Sequence, residues 1–313
     1  MHGKTILVTG GAGFLGSVLC KKLVEQGYYV KILDSFIYKD VHLLGMVKYI
    51  KGDVRHLEYL LKAAEGVDAV VHLAAIVGDQ ACLVNPECSF STNYFATKSL
   101  IDTCKHYGIR KLLFASTCSL YGFSIGSVVQ LHENSALNPV SLYAETKMKA
   151  EHAVLQSSID NAVLRLSTLY GLSSRMRFDL VLNLFAAQAV KEKKITIHGG
   201  SQWRPFLHVS DAADVFIKFL ENSHTGVYNV GNENYRLSEI SRIIKELVPE
   251  VKVKVVPQDD LRNYNVCFDK LKKDVKPVFK YSVKKGLQEI IENMNMFDFK
   301  QPIYNNFEWL KRL

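Results

Sequence analysis

The chain has 313 residues, a formal charge of +8 and 48% hydrophobic residues. That length holds one large α/β domain or two domains with ample core, and no apolar run reaches the roughly 18–20 residues that a membrane helix needs. The basic residues are spread along helices and not gathered into an arm or stripe, which argues against nucleic acid and for an anionic small substrate or a plain solvated surface.

The six cysteines form no CxxC pair and share no metal-like spacing with histidine. They read as reduced thiols, with no metal site expected. A strand begins almost at once, at Lys4. That leaves no room for a signal peptide and makes a cytoplasmic location the expectation.

Thr5-Ile6-Leu7-Val8-Thr9 is a short apolar, β-branched run and predicts a buried strand. It leads into Gly10-Gly11-Ala12-Gly13-Phe14-Leu15-Gly16, followed by an amphipathic helix to about residue 26, stopped by Gly27. Strand, glycine turn and helix in that order let the backbone approach a pyrophosphate seated on the helix amides. An acidic residue at the right distance completes the pattern. It is Asp34, after a second strand over residues 29–33. A carboxylate there accepts hydrogen bonds from the ribose of NAD and repels the 2′-phosphate of NADP. Lys39 nearby weakens that discrimination, and a plain turn aspartate is the alternative.

Residues 48–55 read as a third strand and turn, in which Asp53 either meets an adenine amino group or caps a helix beginning near His56. Residues 69–75 form a fourth, nearly all-apolar strand, as a parallel sheet covered on both faces requires. His72 inside it reads as a satisfied core histidine, and the small Ala74 and Ala75 let a cofactor lie close to the backbone. Asn93 opens a helix to about Tyr107, and residues 111–116 are a fifth strand. Its C-terminal end presents Thr117 at the edge where open α/β sheets bind ligands. A helix from about residue 143 to 156 and a sixth strand over 162–166 follow.

The expected fold is a Rossmann-type doubly wound parallel sheet over residues 1–170, with a segment near 203–231 returning to it. A smaller, mostly C-terminal α/β domain spans 171–313. That second half holds a cationic loop over 170–177, helices over 179–191 and 238–247, and Arg262 in a loop. It ends in an aromatic stretch, 296–313, that is either a packed arm or a frayed tail.

Tyr143 and Lys147 stand four apart, on one face of their helix. An ammonium beside a phenol favours the phenolate and lowers its pKa, giving an acid/base for a sugar or alcohol hydroxyl near neutral pH. The same spacing recurs at Tyr94/Lys98, Tyr107/Lys111 and Tyr281/Lys285, so spacing alone carries little. Tyr143 is singled out by the glycine loop upstream and by the hydroxyl-rich Ser116-Thr117-Cys118-Ser119.

With these residues in view, the chain resembles the extended short-chain dehydrogenase/reductases, the group of nucleotide-sugar epimerases, dehydratases and reductases. The resemblance runs nearly end to end. It includes the glycine loop, Gly52-Asp53-Val54-Arg55, His72-Leu73-Ala74-Ala75, Ser116-Thr117…Tyr121-Gly122, Tyr143-x-x-x-Lys147, Trp203-Arg204-Pro205-Phe206-Leu207-His208 and Tyr228-Asn229-Val230-Gly231.

The resemblance implies NAD held by Gly10, Gly13, Phe14, Leu15, Gly16, Asp34, Asp53, Val54, Leu73, Ala74, Ala75, Asn93, Ser116, Tyr143 and Lys147. It implies Thr117 bonding the sugar hydroxyl, Tyr143 as acid/base, and Lys147 binding the nicotinamide ribose and tuning Tyr143. For a nucleotide-diphosphate sugar it implies Asn183 as a contact and Arg204 and Arg262 as a clamp, which suits planar guanidinium groups. Arg175 and Arg177 resemble a segment of a branch that includes heptose-nucleotide 4-dehydrogenases, and join the substrate residues. It also implies a homodimer through the helices near Asn93 and Tyr143. There Leu100, Ile101, Cys104, Met148 and Val154 supply either the shared face or ordinary core.

Two departures narrow the chemistry. Sugar-nucleotide 4,6-dehydratases carry Asp-Glu where this chain has Cys118-Ser119, so dehydration is disfavoured. The cysteine of GDP-fucose synthase-like 3,5-epimerases falls at Ser119, which disfavours that chemistry too. The resemblance implies an epimerase acting by transient oxidation at C4, placed first on the frequency of that activity in the family alone, with a 4-dehydrogenase or 4-ketoreductase as the alternative. A non-catalytic dinucleotide-sensing module is the reading outside enzymology.

Overall fold

The computed structural model describes residues 3–38, 47–122, 130–257 and 262–313. Lys39 lies outside them. The first strands are β1 (Thr5–Thr9), β2 (Tyr29–Asp34), β3 (Val47–Lys51), β4 (Ala69–His72), β5 (Lys111–Thr117) and β6 (Asp160–Leu166). Then come β7 (Thr168–Tyr170), β8 (Lys194–His198), β9 (Trp203–His208), β10 (Gly226–Val230), β11 (Glu233–Arg236) and β12 (Lys252–Val256). Seven of them form one parallel sheet in the order β10-β6-β5-β4-β1-β2-β3. The chain runs outward from β1 to β3 and then restarts on the other side of β1 at β4. That reversal opens a crevice at the C-terminal ends of β1 and β4, where such sheets bind ligands.

The alternation inside the strands explains why both faces are covered. Ile6 and Val8 of β1 join one core with Val71, Leu113 and Leu164, whereas Leu7 joins the other with Val70, Leu112 and Val163. Side chains alternate across a strand, so a continuous apolar run needs helices on both sides. The helices Phe14–Glu25 and Val209–Glu221 cover the first face; Leu57–Ala64, Ala96–His106 and Leu142–Leu155 cover the second. Two smaller units, β11-β9-β7 and β12-β8, stand apart from the main sheet among the described residues. β10 pairs with β6 at the sheet edge, the return expected near residues 227–231.

Two expectations change. β4 stops at His72: Leu73 N–H still donates to Thr9 O at 3.0 Å, but Ala74 N–H goes to the Thr9 side-chain Oγ1 at 3.3 Å and the ladder ends. Asn93 does not open its helix. Pro86–Phe90, a π turn at Ser91–Phe95, and Ala96–His106 form one helical run, capped by Asn85, whose side chain accepts from Cys88 N–H, with Pro86 in its first turn. The Asn-Pro pair was a readable start signal. Of the two readings given for Leu100, Ile101, Cys104 and Val154, ordinary core is the one found, since all four are buried within this chain, while Met148 is half-buried.

Of the two readings of the C-terminal stretch, the packed arm is the one found. The ring of Phe178 lies 5.8, 6.0 and 5.6 Å from those of Phe297, Phe299 and Tyr304. Strands β8, β11 and β12 and the helices Asp269–Asp274 and Val283–Asn293 lie in stretches left without assignment above. Among the described residues no helix is long and apolar enough to cross a membrane.

His72 is a core histidine, bonded through Nδ1 to Thr9 Oγ1 at 2.6 Å and through Nε2 to Thr97 Oγ1 at 3.0 Å. Burial, then the charge of Lys147, pushes its pKa from 6.5 down to about 3. The native state keeps His72 neutral while the unfolded chain takes up a proton below 6.5, so this contribution to stability falls as pH drops from 6.5 towards 3. Urea unfolding across that window should show a slope that His72→Gln reduces; an identical slope in the variant would rule the assignment out.

Candidate active site

The dinucleotide half of the site is set by close approach. Gly10 takes φ 72°, and a Cβ there would fall 2.7 Å from Ala74 N. A Cβ on Gly16 would fall 2.2 Å from Gly10 O. The glycine loop is thereby pressed against the exit of β4, and Gly13 caps the helix Phe14–Glu25, which has no acidic residue in its first turn. Its amides face the cavity uncontested by any carboxylate of that turn, a setting that favours an anion.

Asp34 closes the loop from the side. One oxygen accepts from Ala12 N–H at 3.0 Å and the other from Phe36 N–H at 2.8 Å. Burial pushes this carboxyl up, and those amides and the charge of Arg175 oppose it. Asp53 lines the same cavity, but its side chain does not cap the helix Leu57–Ala64; it is ion-paired to Arg55 at 2.6 Å. A glycine cradle with no room for a Cβ, a helix start with no acidic residue in its first turn and a fixed carboxylate fit an adenine dinucleotide.

The chemical half lies where β5 ends. Ser141 caps the helix Leu142–Leu155 by accepting from Ala144 N–H at 3.2 Å, which sets Tyr143 in the first turn. Thr117 Oγ1 accepts from Ser119 N–H at 3.1 Å, and its hydroxyl acts to lower the pKa of the Tyr143 phenol. Tyr143, Lys147, Ser116, Thr117 and Ser119 all line one cavity of about 1330 Å³ with the glycine loop.

The electrostatics differ from the sequence expectation. Burial pushes the Tyr143 phenol up, with Cys82 and Asp79 adding to the rise; Arg177 and the Thr117 hydrogen bond pull the other way. Lys147 is shifted as well. Its ammonium is buried 4.0 Å above the Phe114 ring centre and is pushed down to about 7 by burial, against Glu151 and Cys82.

Beneath these groups lies an ion pair the sequence reading missed. Glu151, with no exposure, takes Arg165 Nη2 at 2.6 Å and the Ser116 hydroxyl at 2.6 Å. Arg165 goes on to Tyr121 Oη and to Glu133 O, both at 2.9 Å. The signal was present: a charged residue inside the apolar run of β6 must have a buried partner.

At the opposite end, Arg204 and Arg262 both line the cavity, and Arg262 reaches Asp79 at 3.0 Å. Asp79 also accepts from Ser141 Oγ at 2.6 Å, so it joins the arginine region to the cap of the Tyr143 helix. Arg177 is held two-pronged by Asp179, at 3.0 and 2.7 Å.

Two expected contacts face away from the cavity. Asn93 holds Ile76 by its N–H and C=O, at 2.8 and 3.0 Å. Asn183 is wholly buried and braces Gly171 N–H at 3.0 Å and Arg177 O at 2.9 Å. Both shape the walls from behind, because a buried amide spends its donors and acceptors on backbone. Cys118 also turns inward, onto Arg165 O, with its thiol pushed up to about 12 by burial.

The NAD dependent epimerase/dehydratase family model matches residues 6–231. UDP-glucuronic acid decarboxylase 1 of Arabidopsis thaliana is 29% identical, covering 97% of this chain and 71% of its own. A protein of Bacillus subtilis named as an uncharacterized UDP-glucose epimerase is 35% identical over 70% of this chain and 73% of its own. Among solved structures, the UDP-glucose 4-epimerase of Thermus thermophilus in complex with NAD superposes with a TM-score of 0.83 at 25% identity. That match covers 93% of this chain and 99% of the other.

Glu151→Ala should destabilise the chain by about 3–5 kcal/mol, because it strands a buried guanidinium. The exposed Lys193–Glu250 pair is a control whose loss should barely move stability, because water screens it. Denaturant midpoints of both variants decide it; equal small losses would show that the buried pair holds nothing.

Proposed function

We propose that this chain, which belongs to the NAD dependent epimerase/dehydratase family, is an epimerase of a nucleotide-diphosphate sugar that acts by transient oxidation at C4. The observation that carries the reading is that Thr117, Tyr143 and Lys147 line the same cavity as the glycine loop and the two arginines, Arg204 and Arg262. The relatives' names carry UDP, which supports a UDP-linked sugar.

The glycine-loop amides would hold the pyrophosphate of NAD, Asp34 the adenosine ribose and Lys147 the nicotinamide ribose. Ala74 and Ala75 would leave room beside them. NAD, when bound, supplies the hydride acceptor and donor for the reacting carbon. The chain's own part is the proton. Thr117 orients the C4 hydroxyl, and Tyr143 exchanges the proton at that oxygen. Arg177 and Thr117 favour the phenolate that accepts it, and burial favours the phenol that returns it. Arg204 and Arg262 grip the substrate diphosphate.

No carboxylate stands at Cys118 or Ser119, so the site lacks the acid pair of a dehydratase. A 4-dehydrogenase or 4-ketoreductase differs only in whether the keto sugar leaves. Residues 171–313 form the nucleotide-sugar half in this reading, with the segment near 203–231 serving the sheet. A homodimer would pair the helical run 86–106, where Phe95 is 54% exposed beside Phe90 and Tyr94.

The test is a panel of UDP-sugars, followed by NMR for a new isomer and by the near-ultraviolet absorbance of reduced nicotinamide. An isomer without lasting absorbance supports the epimerase; lasting absorbance with a keto product supports the dehydrogenase. Tyr143→Phe should lower turnover by about 10²–10⁴-fold while leaving dinucleotide binding intact. Unchanged turnover would remove Tyr143 from the mechanism.

A further inference from the structure

We infer that Arg175 serves the cofactor and not the sugar nucleotide: its guanidinium grips the dinucleotide pyrophosphate from the side opposite the glycine-loop amides. The inference rests on the family's NAD and is independent of which sugar carbon reacts.

Position comes first. Ser173 Oγ donates to Phe14 O at 2.7 Å and lies 2.9 Å from Ser17 Oγ. The loop that carries Arg175 is therefore docked on the first turn of the helix that follows the glycine loop. Arg175 itself lies in the same cavity, 4% exposed, with its guanidinium carbon 3.8 Å from the centre of the Tyr38 ring, just past Asp34.

Charge comes second. The hydrogen bonds of Arg175 go to Asn306 Oδ1 at 2.6 Å and Ile303 O at 3.5 Å, both neutral, and its buried Nε has no partner. Asp179, the nearest carboxylate on its own loop, is engaged two-pronged by Arg177. Asp34 and Asp179 act on Arg175 through space, but the first is spent on the Ala12 and Phe36 amides and the second on Arg177, so burial still pushes the Arg175 guanidinium down to about 10, and an anion in contact with it relieves that cost. The glycine loop brings no lysine or arginine over residues 9–16. Its helix contributes only about half a positive charge, against the two negative charges of a pyrophosphate. Arg175 supplies the missing cation in a planar form suited to phosphate oxygens.

Asn306 is the positioning residue. Besides holding Arg175, its side chain donates to Val77 O at 2.9 Å, and Trp309 Nε1 donates to Ile37 O at 2.6 Å. The short helix Asn306–Leu310 thus straps the loops after β2 and β4 together beside the cofactor cleft.

The test uses the full chain freed of co-purifying dinucleotide, with calorimetric titration of NAD, ADP-ribose, adenosine and UDP. Arg175→Gln should weaken NAD and ADP-ribose by about tenfold to a hundredfold and leave adenosine and UDP unchanged. Arg175→Lys should restore part of the loss, and Asn306→Ala should give a smaller loss with the same split between ADP-ribose and adenosine. Weakened UDP with unchanged NAD would assign Arg175 to the substrate and overturn the inference. Equal losses for ADP-ribose and adenosine would overturn it too, as a merely structural role. Should Arg175→Gln not fold, Arg175→Lys and Asn306→Ala carry the same comparison.

Discussion

A carboxylate with no access to water, Glu151, underlies everything on the chemical side of the cavity. It is one helical turn beyond Lys147 and two beyond Tyr143, and it binds Arg165 of β6 and Ser116 of β5 at once. Pulling the helix, the end of β5 and β6 onto one ion pair fixes the relation between Thr117 and Tyr143. Burying the pair is expensive, and its geometry must be good to hold. Its continuation through Arg165 to Tyr121 and then Asn229 of β10 at 2.7 Å extends the same network across the sheet edge.

Burial, more than pairing, governs the charges in this site. The phenol of Tyr143 is pushed up and the ammonium of Lys147 down, each towards its neutral form. Both shifts follow from removing water from the charged species. Such a site responds strongly to any charge that enters it, because the low dielectric magnifies each interaction. Arg177, held by Asp179, is the cation placed to act on the phenol from the loop after β7.

The cofactor side is assembled from distant pieces of chain. The loop after β7 rests on the glycine-loop helix through Ser173, and the C-terminal helix ties that loop to the loops after β2 and β4. The aromatic cluster around Phe178 anchors the arm that makes these ties. The C-terminal arm is therefore part of the site's wall and not an appendage to it.

The glycine loop, Asp34 and the doubly covered strands were legible in the residues alone. Each rests on local rules: glycine where φ is positive or backbone meets backbone, a carboxylate one strand on, and apolar runs where both faces are covered. The helix carrying Tyr143 and Lys147 was legible for the same reason. The sign of the Tyr143 shift, the inward turn of Asn93 and Asn183, and the place of Arg175 were decided by tertiary structure. They depend on contacts such as Arg175 to Asn306, 131 residues apart in sequence, and on how much water each group loses. A residue's type sets what it can bind; only the packed chain sets what surrounds it.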